Sequence, residues 1–571
     1  MKYFEPYILF ILLAVMLLFG QAICDLSLPD YMSDIVNKGI ATNNSLYIIK
    51  TGFKMIGISL VSAIFSVAVG FFAAKVAAGL SQTLRIDLFK KVESFSSAEF
   101  DKFSTSSLIT RTTNDITQIQ TLIVMVIRIV FYAPILGIGG VIHALANSKS
   151  MSWIVVLSIV VLLCIILTMF VLVMPKFKIV QSLIDKLNLV VRENLDGMLV
   201  IRAFNTQKFE ENRFDKANKN LTDTNLFINR VTSGMMPAMM LLMNLVTVLI
   251  VWVGAKQVSA FKMDVGEMMA YMQYVMQIIM AFLMMAMMFI MIPRASVSAA
   301  RIADVLETDP SIKDPISPVN IKASLKGLIE FKNVCFSYPG AEEDVLHDIN
   351  FIAKPGETTA FIGSTGSGKS SLVNLIPRFY DATKGEVLID GINVNDLSLY
   401  DLRNNLGYVP QKGILFSGTI NSNIAYGGKD STEADILKAA EIAQAMEFID
   451  SKEDRFETSI AQGGNNVSGG QKQRLSIARA LVKKPQICIF DDSFSALDFK
   501  TDAALRRAIK NETGSSTVLL VAQRISTIMT ADQIIVLDKG HIVGKGTHNE
   551  LMETCEVYKE IALSQLSKEE L

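Results

Sequence analysis

Apolar residues dominate for the length of a bilayer six times in the first half of the chain, over residues 7–28, 51–78, 119–144, 152–174, 235–256 and 266–292. Roughly 20 apolar residues in a helix cross the hydrocarbon, so each stretch predicts a transmembrane helix. The first has the length of a secretory leader, but no small-residue cleavage site follows and Cys24-Asp25-Leu26 continues it, which predicts a retained helix. The connections after the second and fourth stretches are long, about 40 and about 60 residues, and the others are short. Within the long ones Leu84, Leu88, Phe89 and Val92, and again Leu183, Leu187, Val190 and Val191, recur at helical spacing. They are predicted to be helices running past the bilayer, able to carry motion into it; solvated hairpins without that role satisfy the same pattern.

After residue 292 the pattern changes. Hydrophobicity drops between residues 294 and 326, and prolines enter at Pro310, Pro315 and Pro318. Short apolar runs of strand length follow, at Thr359-Ala360-Phe361-Ile362 and Ile487-Cys488-Ile489-Phe490. The expected organisation is a membrane α-helical bundle of six transmembrane helices over residues 1–305, a linker over 306–328 and an α/β P-loop domain over 329–571.

Composition agrees with a membrane: 51% of the 571 residues are hydrophobic, 19% are charged, and mean hydropathy is +0.38. The net charge of -1 and the lack of a basic patch give a nucleic-acid partner no support. Five scattered cysteines form neither a disulfide framework nor a zinc pattern, and Cys164 and Cys488 sit in apolar runs where a thiol packs as a small hydrophobe. Fifteen Lys and Arg fall in the two long connections against four in the short ones, a modest bias per residue toward the long ones lying inside the cell, and a nucleotide-binding half after the sixth stretch has to lie there too. An even number of crossings then puts both termini there as well.

Two features of the membrane half carry alternatives. Arg128 lies in the third stretch, where a cavity-lining or interhelical role competes with snorkelling to the cytosolic edge. Met268, Met272, Met276, Met280, Met284 and Met288 recur every four residues, a stripe that suits either plain helix packing or a surface that accepts ligands of several shapes.

The strongest chemistry lies in Gly363-Ser364-Thr365-Gly366-Ser367-Gly368-Lys369-Ser370-Ser371, between a strand-like run and a helix-like one. Glycines let backbone N–H groups converge on phosphates, the following helix offers its positive end, Lys369 adds a point charge, and the Ser370 hydroxyl suits Mg²⁺. Tyr338, at the end of a strand-like stretch, suits stacking on adenine or an ordinary strand end. Downstream come Val409-Pro410-Gln411, Ser468-Gly469-Gly470-Gln471, Phe490-Asp491-Asp492, Ser495-Ala496-Leu497-Asp498 and Val521-Ala522-Gln523-Arg524.

In order and spacing these motifs resemble those of an ATP-binding cassette, and with six preceding spans the chain resembles a half-transporter of the ABC exporter type. The resemblance implies that ATP and Mg²⁺ are the cofactors, that Asp491 and Gln411 approach the metal, and that Ser468, Gly469, Gly470 and Gln471 contact ATP held by an opposing subunit. Two positions depart from the family pattern. A glutamate normally follows the Walker B aspartate, but here stands Asp492, and the switch histidine is Gln523. Ser459 and Gln462 also stand where exporters usually place acids. A carboxylate retracted by one methylene, and an amide without imidazole's charge, both predict slow hydrolysis at this chain's own site.

A homodimer would carry two impaired sites. The expected partner is therefore a second, non-identical half-transporter, as in the bacterial heterodimeric multidrug exporters, which Asp25-Leu26-Ser27-Leu28-Pro29, Ala133-Pro134-Ile135-Leu136 and Pro293-Arg294-Ala295-Ser296 also resemble. By that resemblance, coupling segments fall at 100–107 and 204–209, and the setting is a bacterial plasma membrane with a cytoplasmic cassette. The expected cargo is a hydrophobic or amphipathic small molecule. Cassette residues do not encode direction, so import of a siderophore or metal chelate, or an ATP-gated regulatory subunit, satisfies the same motifs.

Overall fold

A computed structural model describes residues 2–319 and 325–566. Residues 320–324 of the expected linker and 567–571 at the end of the expected cassette lie outside the described residues. Among the described residues six helices are long and apolar enough to cross a membrane: Tyr3–Ile40, Ser45–Glu93, Thr105–Asn147, Lys149–Asp196, Gln207–Ser259 and Val265–Ala286, the last continuing helically to Glu307. Each contains one of the six apolar stretches, and the first is helical past Asp25 to Asp34.

The chain divides into two compact units, Met1–Val92 with Ser106–Thr308, and Glu93–Thr105 with Asp309–Leu571. In the first unit the sixth span supplies the middle of the core, with Tyr271, Tyr274, Val275, Ile278 and Ile279 buried against residues of the first, third, fourth and fifth spans. The methionine stripe divides: Met288 is buried, Met268, Met272, Met276 and Met284 are partly buried against that core, and Met280 is exposed. In the long extensions Leu84, Leu88 and Val190 are buried as the period predicts. Phe89 and Val191 are exposed, because adjacent helical positions point about 100° apart and only one of each pair meets the neighbouring helix. Arg128 lies in a stretch of wide π-type turns, Val126–Val130, with its side chain exposed in the single chain. Cys164 is likewise exposed, facing outward from the fourth span rather than into the core.

The second unit is built on three sheets. An antiparallel sheet in the order β2-β1-β4-β5 joins β1 (Ile329–Phe336), β2 (Leu346–Ala353), β4 (Lys384–Ile389) and β5 (Ile392–Asn393). The central sheet, in the order β12-β11-β3-β10-β9-β6, contains β3 (Thr358–Gly363), β6 (Leu406–Val409), β9 (Ile487–Asp491), β10 (Thr517–Val521), β11 (Gln533–Asp538) and β12 (His541–Gly546). Only β12 runs antiparallel. A small ribbon pairs β7 (Gly418–Thr419) with β8 (Ser459–Ile460), which puts Ser459 opposite Thr419.

Parallel strands covered by helices on both faces must be apolar throughout, and β9 and β10 are buried at every position. The Glu93–Thr105 segment packs with this unit through its short helix, Ser97–Lys102. Tyr380 donates from its hydroxyl to Asp101 at 3.1 Å, and the Ser311 N–H donates to Glu99 at 3.0 Å.

Cys488 in mid-β9 is buried as its apolar run predicts, and burial pushes its thiol up to about 12. Only the thiolate reacts, so at about pH 8 Cys488 should resist N-ethylmaleimide in the native protein and label fully in concentrated guanidinium chloride. Peptide mass spectrometry reads both states, and native labelling would contradict the buried strand.

Candidate functional site

The ends of four neighbouring strands bring the predicted chemistry together. β3 leads into the loop Gly363 to Gly368, β9 ends on Asp491 with Asp492 next, β6 precedes Gln411, and β10 precedes Gln523. Because β3, β10, β9 and β6 are parallel neighbours, their carboxyl ends open on one edge, where an open α/β sheet places its ligand.

The loop needs its glycines. A Cβ at Gly363 would collide with the Leu537 carbonyl, and Gly368 takes a left-handed φ of 95° before the helix Lys369–Asn374. Ser364, Thr365 and Gly366 form an exposed crest, while Ser367 and Gly368 are buried beneath it. Lys369 Nζ donates to the carbonyls of Gly363 at 2.9 Å and Ser364 at 2.8 Å, so the ammonium sits inside the loop. Burial lowers its pKa, against the pull of the Asp492 and Asp491 charges.

The Ser370 hydroxyl donates to Asp491 at 2.9 Å. Burial raises the pKa of Asp491; that hydrogen bond opposes the shift, and the charge of Asp492 adds to it. A hydroxyl and a buried carboxylate converging on one point are the oxygen donors Mg²⁺ prefers, and with the glycine-lined loop beside them the residues fit MgATP.

Asp492 is where the two departures from the family pattern meet. Its Oδ2 accepts from Gln523 Nε2 at 2.7 Å and from Gln411 Nε2 at 3.1 Å. Its backbone has a φ of 48°, a strained conformation for a residue with a Cβ, fixed by its N–H donating to the Val521 carbonyl at 3.0 Å. Burial raises the pKa of Asp492, offset in part by the Gln411 hydrogen bond and the Lys369 charge. The carboxyl is thus made more basic and held back at the same time.

Tyr338 reaches this site from the antiparallel sheet. Its hydroxyl lies 2.8 Å from Ser371 Oγ, and its ring stands edge-on to Phe336 and Tyr380 at 4.9 and 5.2 Å. Ser468 caps the helix Gly469–Leu481, with its N–H on Gln471 Oε1 at 3.0 Å and its Oγ on the Gln471 N–H at 3.3 Å. Among the described residues none of Ser468, Gly469, Gly470 and Gln471 hydrogen-bonds the cluster around Asp492, and Ser468 and Gly469 are exposed. That helix is tied to the Gln411 loop instead by Gln473, which accepts from the Gly413 N–H at 3.1 Å and donates to the Pro410 carbonyl at 3.2 Å. Sequence reasoning missed Gln473, because its partners lie 60 and 63 residues away along the chain.

Two known families match this chain: the ABC transporter transmembrane region over residues 11–282 and the ABC transporter domain over residues 346–495. An uncharacterized ABC transporter ATP-binding protein of Mycobacterium tuberculosis is 38% identical over 99% of this chain and 97% of its own length. An ATP-dependent lipid A-core flippase of Hahella chejuensis is 34% identical over 90% of this chain and 88% of its own. The solved structure of a bacterial Atm1-family ABC exporter with ATP bound superposes with a TM-score of 0.80 over 99% of both chains at 23% identity, a likeness of fold.

Replacing Lys369 with Ala should weaken MgATP binding by about 10- to 100-fold, the loss of one charge-assisted contact. Ser370→Ala should make ATP affinity nearly indifferent to Mg²⁺. Calorimetric titration with and without the metal measures both.

Proposed function

This chain belongs to the ABC transporters, with an exporter-type membrane unit and an ATPase cassette on one polypeptide, and on that premise we propose that it is the slow-hydrolysing subunit of a heterodimeric exporter. The observation that carries the proposal is the Asp492 carboxylate, with one oxygen engaged by both Gln523 and Gln411. A general base must come within about 3 Å of the proton it removes, and geometry precedes pKa. The raised pKa therefore does not rescue a side chain one methylene short and turned toward two amide donors. Gln523 donates a hydrogen bond but carries no charge to stabilise the transferring phosphoryl group.

At this chain's own site the loop N–H groups receive the phosphates, Lys369 turns from the loop carbonyls to them, and Tyr338 lies against the base. Ser370 and Asp491 hold Mg²⁺, with Gln411 beside them. The metal held there would neutralise phosphate charge. Ser468, Gly469, Gly470 and Gln471, with the first two exposed and the segment capped as a helix N-terminus, serve the partner's nucleotide. ATP closes the paired cassettes and turns the spans from inward to outward access, and hydrolysis at the partner's site resets them.

Two further observations support coupling. Asp101 and Glu99, just after the second span, bond to Tyr380 and Ser311 of the cassette unit. Just past the fourth span, in and after the short helix Met198–Ala203, Leu199 and Phe204 are 83% and 75% exposed, an apolar tip that suits a partner's cassette. The cassette and both termini face the cytoplasm of a bacterial plasma membrane. Hydrophobic or amphipathic compounds are the cargo, a range that includes the lipid in the name of the flippase relative.

Purified alone, the chain should hydrolyse ATP at least about tenfold more slowly than an exporter with glutamate and histidine at these positions, and Asp492→Glu with Gln523→His should recover at least about tenfold. Steady-state phosphate release measures it. Vigorous turnover by the unaltered chain, unchanged by the double substitution, contradicts the proposal.

A further inference from the structure

Beyond the Ala522 N–H, which donates to the Phe361 carbonyl at 3.1 Å, the chain leaves β10, passes Gln523 and enters the short helix Ile525–Ile528. Arg524, at the N-cap of that helix, makes no side-chain cap, so the first helical N–H needs a partner from elsewhere. Gln565 supplies it. Its Oε1 accepts from the Ile525 N–H at 2.8 Å, and its Nε2 donates to the Gln523 carbonyl at 2.8 Å. A carboxamide carries an acceptor and donors side by side, so one side chain grips the main chain at a carbonyl and at an N–H together.

The reach of Gln565 follows from the helix that carries it, Glu556–Gln565. Tyr558, Ala562 and Gln565 stand four and then three residues apart, which puts them on one face. The first two are fully buried in the same apolar cluster as Ile525 and Ile528, and the Tyr558 hydroxyl lies 2.8 Å from His548 Nδ1. That stripe seats the helix against the segment after β10 and brings its last turn to the Gln523 carbonyl. Gln565 itself is an exposed residue, so apolar burial does not account for it; what the position uses is the amide.

Gln523 is thereby held at two points, with its amide on Asp492 at 2.7 Å and its carbonyl on Gln565. We propose that Gln565 is a positioning residue for ATP cleavage: it clamps the main chain around Gln523 and so aims the Gln523 amide along the edge where the phosphates bind. Without the clamp the segment gains freedom that the transition state has to remove again, and cleavage slows. Loss of the clamp does not release Asp492, because Gln411 engages the same oxygen. The inference rests on the reading of Gln523 as the switch residue, and it is independent of whether the site is fast or slow.

The test uses the full chain in lipid nanodiscs. Gln565→Met keeps the length and loses both hydrogen bonds, and Gln565→Asn keeps the amide but falls short of its partners. With radiolabelled ATP and Mg²⁺, each variant should cleave bound nucleotide about three- to tenfold more slowly, with the Kd for ATP within about twofold of the unaltered chain. In a Gln523→Ala background, Gln565→Met should change the rate by less than about twofold, since no amide is left to aim, whereas general damage to the cassette slows both backgrounds alike. Hydrogen exchange without nucleotide gives a second reading: the Ile525 amide should exchange at least about threefold faster in both variants while the phosphate loop is unaltered, and this reading decides alone where cleavage is too slow to time. Unaltered exchange at Ile525, equal slowing in both backgrounds, or an unaltered rate in Gln565→Met where Gln523→Ala slows cleavage overturns the proposal. If Gln523→Ala itself leaves cleavage unchanged, the reading of Gln523 as the switch residue fails, and the clamp fails with it.

Discussion

Two glutamine amides donate to one oxygen of Asp492, and the position in which they hold it governs what the cassette can do with a nucleotide. The amides come from the ends of β6 and β10, which flank β9, so the contact is a direct product of strand order. A parallel sheet aligns its carboxyl ends, the strained backbone of Asp492 aims its side chain along that edge, and the neighbours on either side engage it. The same alignment brings Asp491 to the Ser370 hydroxyl at the start of the phosphate-loop helix. Lys369, Ser370 and Asp491 gather at the phosphate loop, while the two departures from the family pattern, Asp492 and Gln523, meet beside it at the groups proposed to act on water and on the transferring phosphoryl.

The membrane unit follows a similar rule with different chemistry. In a span the main chain satisfies its own hydrogen bonds, so side-chain polarity is used sparingly and between helices. Asp25 joins the first span to the second, third and sixth, and the Tyr274 hydroxyl donates to the Leu26 carbonyl one residue further along at 2.9 Å. Near the other end of the third span Ser298 donates to buried Asp115 at 2.8 Å. These contacts fix how helices with uniformly greasy surfaces register against one another, which apolar packing alone specifies weakly.

Much of this is legible in the sequence where the determinant is local. Bilayer-length apolar stretches gave six spans, the order of short motifs gave the cassette, and an apolar run ending in Asp491 gave the central strand. What the chain conceals depends on distant partners. Asp25 was visible only as an acid in an apolar run, because its partners lie 37, 107 and 252 residues away. Phe89 and Val191 fit a helical period but fall outside the buried stripe, since period alone does not say where the stripe ends. Residues 93–105 follow a membrane helix in sequence yet pack with the cassette unit, a choice made by Tyr380 and Ser311 far down the chain. Tyr338 has a strand-end position any tyrosine could occupy, and only the fold reveals its hydroxyl against Ser371.

The central proposal is that this site cleaves the ATP it holds only slowly. Rapid-quench analysis of radiolabelled nucleotide bound to the purified chain in the presence of Mg²⁺ reads that chemistry directly, since it identifies what sits on the loop rather than what appears in solution. The account predicts that the nucleotide recovered after one exporter turnover time is still mostly ATP. Recovery of ADP within a single such interval would contradict it.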